Sequence, residues 1–368
     1  HRGAGGMSAD VLAVRLDSDG DVLLTGPAIR AMAHAVAARG GQVDVLAAPA
    51  GHAAARLLPD VRDVLVFDAP WSGYRPPPVD RTRVLDLVAT LAARRYAAAV
   101  VFTSFHQSPL PAAMLLRLAE VEHVAAVSED YPGSLLDVRH TRPAGLHEVE
   151  AALDLVRAAG FGGPPDGDAL RVRRPLPDVA DLVPAGPYVV VHPGASVPAR
   201  APAPDHARDL VAALVASGRQ VVVTGGPGEA ALGAHVADGR ARDLSGRTDL
   251  AGLAAVLAGA RCVVVGNTGP AHLAAAVGTP VVSLFAPVVP AERWAPWGVP
   301  VVVLGDQHAG CRDTRARVCP VAGHPCLGGI EPDDVVAAVA RLGAPHVVGT
   351  PRPRPGRTTT AWAAGVAR

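Results

Sequence analysis

The 368-residue chain contains no lysine, so arginine supplies all 34 of its basic side chains. Any site that binds phosphate must therefore use arginine or backbone N–H groups. Acidic residues also number 34, which gives a formal net charge of zero. Such a balance excludes a global field that would hold the chain on nucleic acid or on an anionic membrane. We therefore expect no nucleic-acid partner, and any anion site must be local.

The chain also lacks the features of a disulfide scaffold and of a membrane-spanning protein. Its four cysteines are too few to cross-link a chain of this size, and no apolar run reaches the length of a transmembrane helix. No signal peptide is recognisable, and Met7 is the expected natural start. The sequence thus predicts a soluble, cytoplasmic protein without a transmembrane segment, with the inner face of the membrane as a peripheral alternative.

Short β-branched runs alternate with alanine-rich stretches of helical spacing along the whole chain. Examples of the runs are VLAVRL at 11–16, YVVVH at 188–192 and RCVVVG at 261–266. This alternation predicts parallel α/β sheets of the doubly wound type. A stretch rich in Gly and Pro, from about residue 160 to 187, divides the chain into two α/β halves. We expect an N-terminal domain at 7–170, a C-terminal domain at 184–347 and a Pro/Arg-rich tail at 350–368.

Three carboxylates, Asp17, Asp19 and Asp21, follow the first predicted strand within five positions. An EF-hand calcium loop is excluded because the sixth position from Asp17 is Val22 rather than glycine. Pro27 is expected in the first turn of the next helix, so the acids would lie in the turn between strand and helix, where ligands bind in this fold class. Two interpretations remain. One is a polar turn, and the other is an acid/base site in which burial and mutual repulsion raise a carboxyl pKa.

The second half contains a strand-loop-helix unit, GNTGPAHL at 266–273, that suits an anion. Asn267 or Thr268 can cap the helix, and Pro270 fits its first turn. The backbone N–H groups of Thr268 and Gly269 would then face a phosphate at the positive end of the helix dipole. A capped helix with a purely structural role is the alternative.

Two further loops of the second half carry candidate ligand-binding residues. Glycines after Thr224, beginning with Gly225, let a ligand approach the backbone, and Glu229 is placed to accept ribose hydroxyl groups. Ser196 and Arg200 follow another buried strand, and an arginine there can bind a diphosphate through two parallel hydrogen bonds. Taken alone, the first loop also fits a plain glycine turn, and Arg200 also fits a solvated surface.

Together these segments resemble the ADP-heptose:lipopolysaccharide heptosyltransferase family, glycosyltransferase family 9. The resemblance rests on VRLDSDGDVLLTGPAIRAM, VVVHPGAS, VVTGGPGE and GNTGPAHLAAAVGTPVVSLFAP in this order, and it covers nearly all of residues 11–342. It implies the GT-B architecture, in which two Rossmann-like domains face each other across a cleft. The first domain would mainly bind the acceptor and the second the nucleotide sugar. It also implies inversion at the anomeric carbon without a metal or a cofactor.

The resemblance places the family's catalytic aspartate on Asp21, as the base that takes a proton from the acceptor hydroxyl. The donor-binding residues expected from the segments and the resemblance together are Ser196, Arg200, Thr224, Gly225, Glu229, Asn267, Thr268, Gly269, Pro270 and His272. Asn267 stands where many members have aspartate, and Pro202 where a tryptophan is frequent. Asp17 and Asp19 stand where uncharged residues are commoner. These departures leave the sugar and the acceptor open.

We therefore expect a glycosyltransferase that moves a sugar, a heptose from ADP-heptose, from a nucleoside-diphosphate donor to a hydroxyl of a glycan or small-molecule acceptor. One alternative is a non-catalytic nucleotide-sugar-binding protein. Another is a GT-B glycosyltransferase with a different donor and a natural-product acceptor. A nicotinamide oxidoreductase is disfavoured because no G-x-G-x-x-G follows the first strand.

Three further clusters have weaker interpretations. A turn that could meet acceptor hydroxyls, or be purely structural, contains Ser104, His106 and Gln107. A segment that could pair with an anionic acceptor, with a solvated loop as the favoured alternative, contains Arg139, His140 and His147. A segment that could in principle bind zinc contains Cys311, Cys319, His324 and Cys326. Because the spacing of these last residues is not that of familiar zinc ligands, no metal site is expected.

Overall fold

A computed structural model describes residues 9–104 and 107–343, which form two parallel sheets flanked by helices. The strands of the first sheet are β1 (Val11–Arg15), β2 (Val43–Ala47), β3 (Val61–Val66), β4 (Ala98–Phe102), β5 (His123–Val127) and β6 (Val138–His140). Those of the second are β7 (Tyr188–His192), β8 (Gln220–Val223), β9 (Arg242–Asp243), β10 (Cys262–Gly266), β11 (Val281–Leu284) and β12 (Val301–Leu304).

Helices accompany the strands in both halves. The first half contains α1 (Asp19–Ala37), α2 (His52–Leu57), α3 (Arg81–Arg94), α4 (Leu110–Leu118) and α5 (Glu148–Ala158). The second contains α6 (Pro204–Ala216), α7 (Ala230–Ala237), α8 (Leu250–Gly259), α9 (Gly269–Val277), α10 (Ala291–Trp294), α11 (Pro325–Gly328) and α12 (Pro332–Gly343). Short 3-10 turns, η1 (Pro198–Arg200) and η2 (Pro227–Glu229), follow β7 and β8.

The two sheets repeat the same strand order. The first runs β3-β2-β1-β4-β5-β6 and the second runs β9-β8-β7-β10-β11-β12, with all pairings parallel. In each sheet the order reverses between two central strands, β1 and β4 or β7 and β10, and a crevice opens there at the carboxyl ends. This arrangement confirms the predicted pair of Rossmann-like, doubly wound domains.

Burial explains why the strands are continuous apolar runs. Every residue of β1, β7 and β10 is buried, as expected for parallel strands covered by helices on both faces. One apolar cluster extends from Ile29 in α1 to Leu257 in α8 and Leu273 in α9. The two halves therefore contact each other directly along their helices.

The connection between the halves, residues 161–187, contains no helix or strand. Arg30 of α1 donates hydrogen bonds to the carbonyls of Gly167 and Ala169, at 2.9 and 2.8 Å. Trp297 of the second half donates from Nε1 to the carbonyl of Asp168, at 3.1 Å. Both halves thus hold the same short part of the connection. The predicted domain boundaries at 170 and 184 fall within it, and the predicted tail at 350–368 lies outside the described residues.

The start of α1 differs from the prediction. Ser18 is the N-cap and the helix begins at Asp19, so Pro27 lies inside the helix rather than in its first turn. Acidic side chains at Asp19 and Asp21 are favourable there because they face the positive end of the helix dipole. Burial of apolar side chains on both sides of Pro27 offsets the hydrogen bond that proline cannot make. The acids are therefore part of a rigid first turn.

No described helix is both long enough and apolar enough to span a bilayer.

Candidate active site

Asp21, the predicted base, lies in the first turn of α1 next to the carboxyl end of β1. Its carboxylate accepts a hydrogen bond from Ser18 Oγ at 2.8 Å and lies 3.3 Å from Nη2 of Arg15. The side chain is 23% exposed. Asp21 is thus held in one orientation while a substrate can still reach it.

Asp17 has a different environment. Its side chain is only 8% exposed, and its Oδ2 lies 2.8 Å from Nε of Arg15, in an ion pair without the alignment of a hydrogen bond. Gln107 donates from Nε2 to Oδ1 at 2.8 Å. Burial raises the pKa of Asp17, and the charge of Arg15 opposes that rise. Asp17 therefore helps to hold Arg15 in place, and its carboxylate is shielded from solvent.

Asp19 has a structural role. Its Oδ1 accepts the backbone N–H of Ala54 at 2.9 Å and so satisfies one of the free donors at the start of α2. Burial raises its pKa, and the hydrogen bond from Ala54 opposes that rise. The three neighbouring acids thus have three different sets of partners.

The start of α9 agrees with the prediction in outline and differs in one donor. Thr268, one of the two caps that the sequence allowed, is the N-cap residue, although its side chain makes no capping hydrogen bond. Gly269 and Pro270 form the first turn, as predicted. The Thr268 N–H, however, donates to the carbonyl of Gly266 at 2.9 Å. Its predicted use as a free phosphate donor is therefore wrong for this conformation. Gly269 supplies the backbone N–H at the helix start.

Asn267 holds the loop before α9 in place. Its Oδ1 accepts the N–H of Ala286 and its Nδ2 donates to the carbonyl of the same residue, both at 3.2 Å. An aspartate could accept the first bond but would repel the carbonyl. This pairing explains why an amide suits the position, and it occupies the side chain within the protein.

Arg200 is the last residue of η1. Hydrogen bonds of the preceding residue, Ala199, hold this turn in place. The Ala199 N–H donates to the carbonyl of Arg317 at 2.9 Å, and Nε2 of His324 donates to the carbonyl of Ala199 at 3.1 Å. A Cβ on Gly266 would lie 2.4 Å from the carbonyl oxygen of Arg200, so only glycine allows this loop to pack on β10. Nε of Arg200 is buried with no hydrogen-bond partner among the described residues. A ligand oxygen could satisfy that donor.

Glu229 folds back over the loop after β7. Its Oε2 accepts the N–H of Gly226 at 2.7 Å, and a Cβ on Gly194 would lie 1.9 Å from its Oε1. His192 lies behind it, with Nε2 3.9 Å from Oε2 of Glu229 and Nδ1 3.0 Å from the hydroxyl oxygen of Thr224. Burial lowers the pKa of His192, and Glu229 opposes the shift. Sequence reasoning missed His192 and Gly194, although both lie in the VVVHPGAS segment.

The remaining predicted donor-site residues are placed on the same side of the second sheet. Ser196 is exposed on the loop between β7 and η1. Thr224 is buried at the end of β8 and is occupied by His192. A Cβ on Gly225 would lie 3.1 Å from Oγ of Ser245. The loops after β7, β8 and β10 thus meet at the carboxyl edge of the second sheet.

The two halves meet at the first turns of α1 and α9. A Cβ on Gly20 would lie 3.1 Å from both Cα of Gly269 and Cδ2 of His272. His272 is buried, and its Nδ1 has no hydrogen-bond partner among the described residues. Burial lowers the pKa of His272 to about 4, with Asp21 opposing the shift and Arg200 adding to it. Asp21, His272 and Arg200 therefore share one region between the halves, and His272 is neutral at neutral pH.

A cavity of about 450 Å³ opens at the carboxyl ends of β1, β4 and β5. It lies at the reversal point of the first sheet, and Arg15, the partner of Asp21, forms part of its wall. Gln107, predicted to meet acceptor hydroxyls, also lines it, and Ser104 lies beside it with Oγ 3.4 Å from Nη2 of Arg15. His106 lies outside the described residues. Arg293 of the second half completes the lining.

The polar segment that could have paired with an anion is occupied within the protein. Arg139 donates to two backbone carbonyls of the preceding turn, and His140 lies 2.8 Å from Asp154. His147 caps α5 and donates from Nε2 to the carbonyl of Ala295 in the second half, at 2.9 Å. These contacts connect elements of the protein, while Arg139 remains exposed to solvent. Binding of an anionic acceptor by this segment stays a prediction.

The cysteine segment packs against the loop that carries Arg200. Sγ of Cys311 and Sγ of Cys326 are 4.0 Å apart and buried, whereas Cys319 directs its Sγ to the carbonyl of Val321. In residues 9–104 and 107–343, no three His, Cys, Asp or Glu side chains are grouped to hold a metal ion. His324 supports η1, as described above.

Two Rossmann-like domains whose carboxyl-edge loops meet at one cleft define the GT-B class of proteins. The family model of glycosyltransferase family 9 (heptosyltransferase) matches residues 84–324, more than half of the sequence. The chain therefore belongs to glycosyltransferase family 9, and it is a glycosyltransferase.

Solved structures share the fold. ADP-heptose LPS heptosyltransferase II of Escherichia coli is 19% identical with a TM-score of 0.69, over 91% of this chain and 98% of that one. A family 9 glycosyltransferase of Veillonella parvula is 14% identical with a TM-score of 0.72, over 91% and 97%. Heptosyltransferase WaaC of E. coli, solved with ADP-2-deoxy-2-fluoro heptose, is 23% identical with a TM-score of 0.65, over 90% and 99%. No curated protein sequence gives a match.

Proposed function

We propose that the chain transfers a heptose from ADP-heptose to a hydroxyl group of a glycan or small-molecule acceptor, with inversion and without a metal ion. Family membership supports the reaction class. The donor is supported by the WaaC structure with an ADP-heptose analogue, which shows what that relative binds. The arrangement of this chain's own residues supports the roles given below.

One observation carries the proposal, namely the convergence of Asp21, His272 and Arg200 where the first turns of α1 and α9 meet. Asp21 belongs to the first half and the other two residues to the second. A donor held by the second half would therefore place its sugar next to a carboxylate of the first half. This is the geometry that direct displacement between two bound substrates requires.

Asp21 is the proposed general base. It accepts the proton of the acceptor hydroxyl as that oxygen attacks the anomeric carbon, a contribution typically of about 100-fold to 10,000-fold. Ser18 and Arg15 fix the carboxylate, so little reorientation precedes the proton transfer. Because attack comes from the face opposite the departing diphosphate, the configuration at the anomeric carbon inverts.

Negative charge develops on the diphosphate as it leaves, and the second half supplies groups to stabilise it. These are the partnerless Nε of Arg200, the Gly269 N–H and the positive end of α9. Loss of one such preorganised donor typically costs about 3 to 4 kcal/mol of barrier. His272 contributes a hydrogen bond rather than a charge, because burial keeps it neutral. Asn267 and Thr268 shape the loop.

Glu229 is the proposed partner of the donor's ribose. One of its oxygens is bound to the Gly226 N–H, which fixes the carboxylate at the edge of the donor loops. Carboxylates in this position of doubly wound folds accept ribose hydroxyl groups. Ser196, Thr224, Gly225 and Pro270 would complete the donor pocket. The acceptor would occupy the cavity of the first half, beside Arg15.

The test is Asp21→Asn, with Asp19→Asn as a matched control in the same helical turn. Asp21→Asn should reduce transfer from ADP-heptose by about 100-fold or more while ADP affinity, measured by titration calorimetry, stays unchanged. Asp19→Asn should retain transfer, because Asp19 only holds Ala54. Full activity of Asp21→Asn would overturn the assignment of the base.

The donor and the metal requirement are tested separately. Thermal stabilisation by ADP should exceed that by GDP or UDP at the same concentration, because only a bound nucleotide shifts the unfolding equilibrium. Transfer should persist in a chelator. Stronger stabilisation by another nucleotide would contradict ADP-heptose as donor, and loss of activity in the chelator would contradict the metal-free mechanism.

A further inference from the structure

The lining of the first-half cavity is balanced in charge. Among the described residues that form it, three are cations and three are anions, namely Arg15, Arg142, Arg293, Glu129, Asp130 and Glu148. A cavity that recognises a carboxylate or a phosphate usually offers cations whose charge is not already matched. Whether these arginines are matched therefore decides what kind of acceptor the cavity suits.

Arg15 is already matched by two carboxylates. It lies 2.8 Å from Asp17 and 3.3 Å from Asp21. An anionic acceptor group placed beside it would meet those two carboxylates as well. The combined electrostatic field of Arg15, Asp17 and Asp21 therefore does not attract an anionic group.

Arg142 and Arg293 lie near each other and share the carboxylate of Glu148. Nη1 of Arg142 lies 2.8 Å from Oε1 of Glu148, which is buried, and Nη2 donates to the carbonyl of Leu146 at 2.9 Å. Arg293 lies near Glu148 and Asp313 as well as near Arg142. Each cation of this wall thus has a carboxylate close to it.

The remaining carboxylates stand at the turn that follows β5. Glu129 and Asp130 are both exposed there and line the cavity. They would repel an anion as it enters, and they can accept hydrogen bonds from hydroxyl groups. The entrance therefore opposes acidic ligands and suits neutral ones.

The polar atoms that stay available suit hydroxyl groups. Nε of Arg142 is buried with no hydrogen-bond partner among the described residues, so it can donate to a ligand oxygen. Thr103 and Ser108 add uncharged donors and acceptors, and Gln107 adds an acceptor, because its Nε2 already donates to Asp17. Apolar side chains, including Phe102, line the rest and can cover the C–H face of a sugar ring.

We propose that the acceptor presents an uncharged, hydroxyl-rich group, of the size of a monosaccharide or disaccharide, to this cavity, in preference to an acidic sugar or a phosphate. The cavity volume of about 450 Å³ suits a group of that size. This inference rests on the proposed function, because it assumes that the first half binds the acceptor. It specifies the chemistry of that acceptor.

The test compares glycosides that differ only in charge. Methyl glucoside and methyl galactoside are each paired with their uronic-acid counterparts, and binding to the full chain in the presence of ADP is measured by thermal stabilisation and calorimetry. The neutral member of each pair should bind about tenfold more tightly, the effect of one uncompensated charge at a half-buried site. Tighter binding of the uronic acids, or no binding of any neutral glycoside at millimolar concentration, would overturn the proposal.

A variant pair isolates the entrance carboxylates. The double change Glu129→Gln and Asp130→Asn should reduce the ratio of neutral to acidic glycoside affinity about fivefold. The reason is that the two carboxylates no longer repel the acidic glycoside. Glu122→Gln, an exposed acid before β5 at the opposite end of the strand, should leave the preference unchanged. An unchanged preference in the double variant would contradict the charge argument.

A separate measurement keeps the two proposals apart. ADP binding is measured by calorimetry without any glycoside, and it reports on the second half alone. Absence of ADP binding would contradict the proposed donor. The difference in affinity between neutral and acidic glycosides would still be measured independently. Normal ADP binding with a preference for uronic acids would overturn only the inference about the acceptor.

Discussion

The guanidinium group of Arg15 lies between two carboxylates, with Nε 2.8 Å from Asp17 and Nη2 3.3 Å from Asp21. Arg15 and Asp17 are buried, whereas Asp21 is partly exposed. Asp17 and Asp21 therefore share the positive charge of Arg15. The closer partner is Asp17, whose carboxylate is buried. Asp17 thus shares with Asp21 the guanidinium group that orients the Asp21 carboxylate.

Asp17→Asn should lower kcat for transfer by about threefold to tenfold, because Arg15 would lose one of the two carboxylates that fix it beside Asp21 and the reacting groups would be less well positioned. The KM for the donor should stay constant. The measurement is a series of initial rates, expressed per ADP-binding site determined by calorimetry. A general loss of folded protein would lower the number of ADP-binding sites and leave the rate per site equal to that of the wild type.

Asp19→Asn provides the comparison for these initial rates. Asp19 contacts the Ala54 N–H rather than Arg15. The variant should lose at most about 1 kcal/mol of stability and keep the kcat of the wild type. If both variants lowered kcat equally, the specific role of Asp17 would be contradicted.

Gly20→Ala tests the contact between the halves. The new Cβ would lie 3.1 Å from Cα of Gly269 and from Cδ2 of His272, so the first turns of α1 and α9 must separate by a few tenths of an ångström. Because catalysis depends steeply on the separation of the reacting groups, kcat should fall about tenfold or more. ADP affinity should stay within a factor of about two, since no donor contact is removed.

Gly26→Ala is the matched control in the same helix. Its Cβ would meet only Cδ2 of Leu58, the end of a flexible side chain in the first half. Alanine also favours the helix. The variant should keep both kcat and stability, and a loss of kcat equal to that of Gly20→Ala would show that the effect does not arise between the halves.

The sequence was sufficient for the parts of the fold that depend on local pattern. Buried β-branched runs predicted the parallel strands, and Thr268 with Pro270 predicted the start of α9. The start of α1 was predicted too late because Pro27 was assigned to the first turn. Proline inside a helix is a local penalty, and only the packing of the whole helix shows that burial offsets it.

The partners of the site residues could not be predicted from the sequence. Nothing in DSDGD shows that Asp17 binds Gln107 or that Asp19 binds Ala54, because these contacts join segments distant in the chain. The same holds for the Thr268 N–H, which the loop geometry directs to Gly266. The cluster of acids left both a polar turn and an acid/base site open, and the family resemblance selected Asp21. Tertiary contacts decide which acid remains accessible.

Gly194→Ala tests the position of Glu229. The new Cβ would lie 1.9 Å from Oε1 of Glu229, so the carboxylate must leave its place over the loop. Loss of its hydrogen bond to a ribose hydroxyl should weaken ADP binding about tenfold, measured by calorimetry. The rate at saturating donor should change much less, because Glu229 takes no part in the proposed proton transfer.

Gly228→Ala is the control for this loop. A Cβ at Gly228 would meet nothing within 4 Å, although the residue immediately precedes Glu229. ADP affinity should therefore equal that of the wild type. Equal losses in the two variants would indicate a general effect of stiffening the glycine loop, and would contradict the role given to Glu229.

His272 should make the folded protein sensitive to acid. Burial lowers its pKa to about 4, whereas the unfolded chain has the ordinary value near 6.5. Between these two values the unfolded state binds more protons, so stability is lost as the pH falls from 6.5 towards 4. The contribution of His272 between pH 7 and pH 5 should be about 2 kcal/mol.

The measurement is urea unfolding of the wild type and His272→Gln at both pH values. The variant should lose about that much less stability on acidification, and the buried histidines His147 and His192 are present in both proteins. An identical loss in wild type and His272→Gln would mean that the imidazole between the halves is solvated, and the neutral hydrogen-bonding role proposed for it would then be wrong.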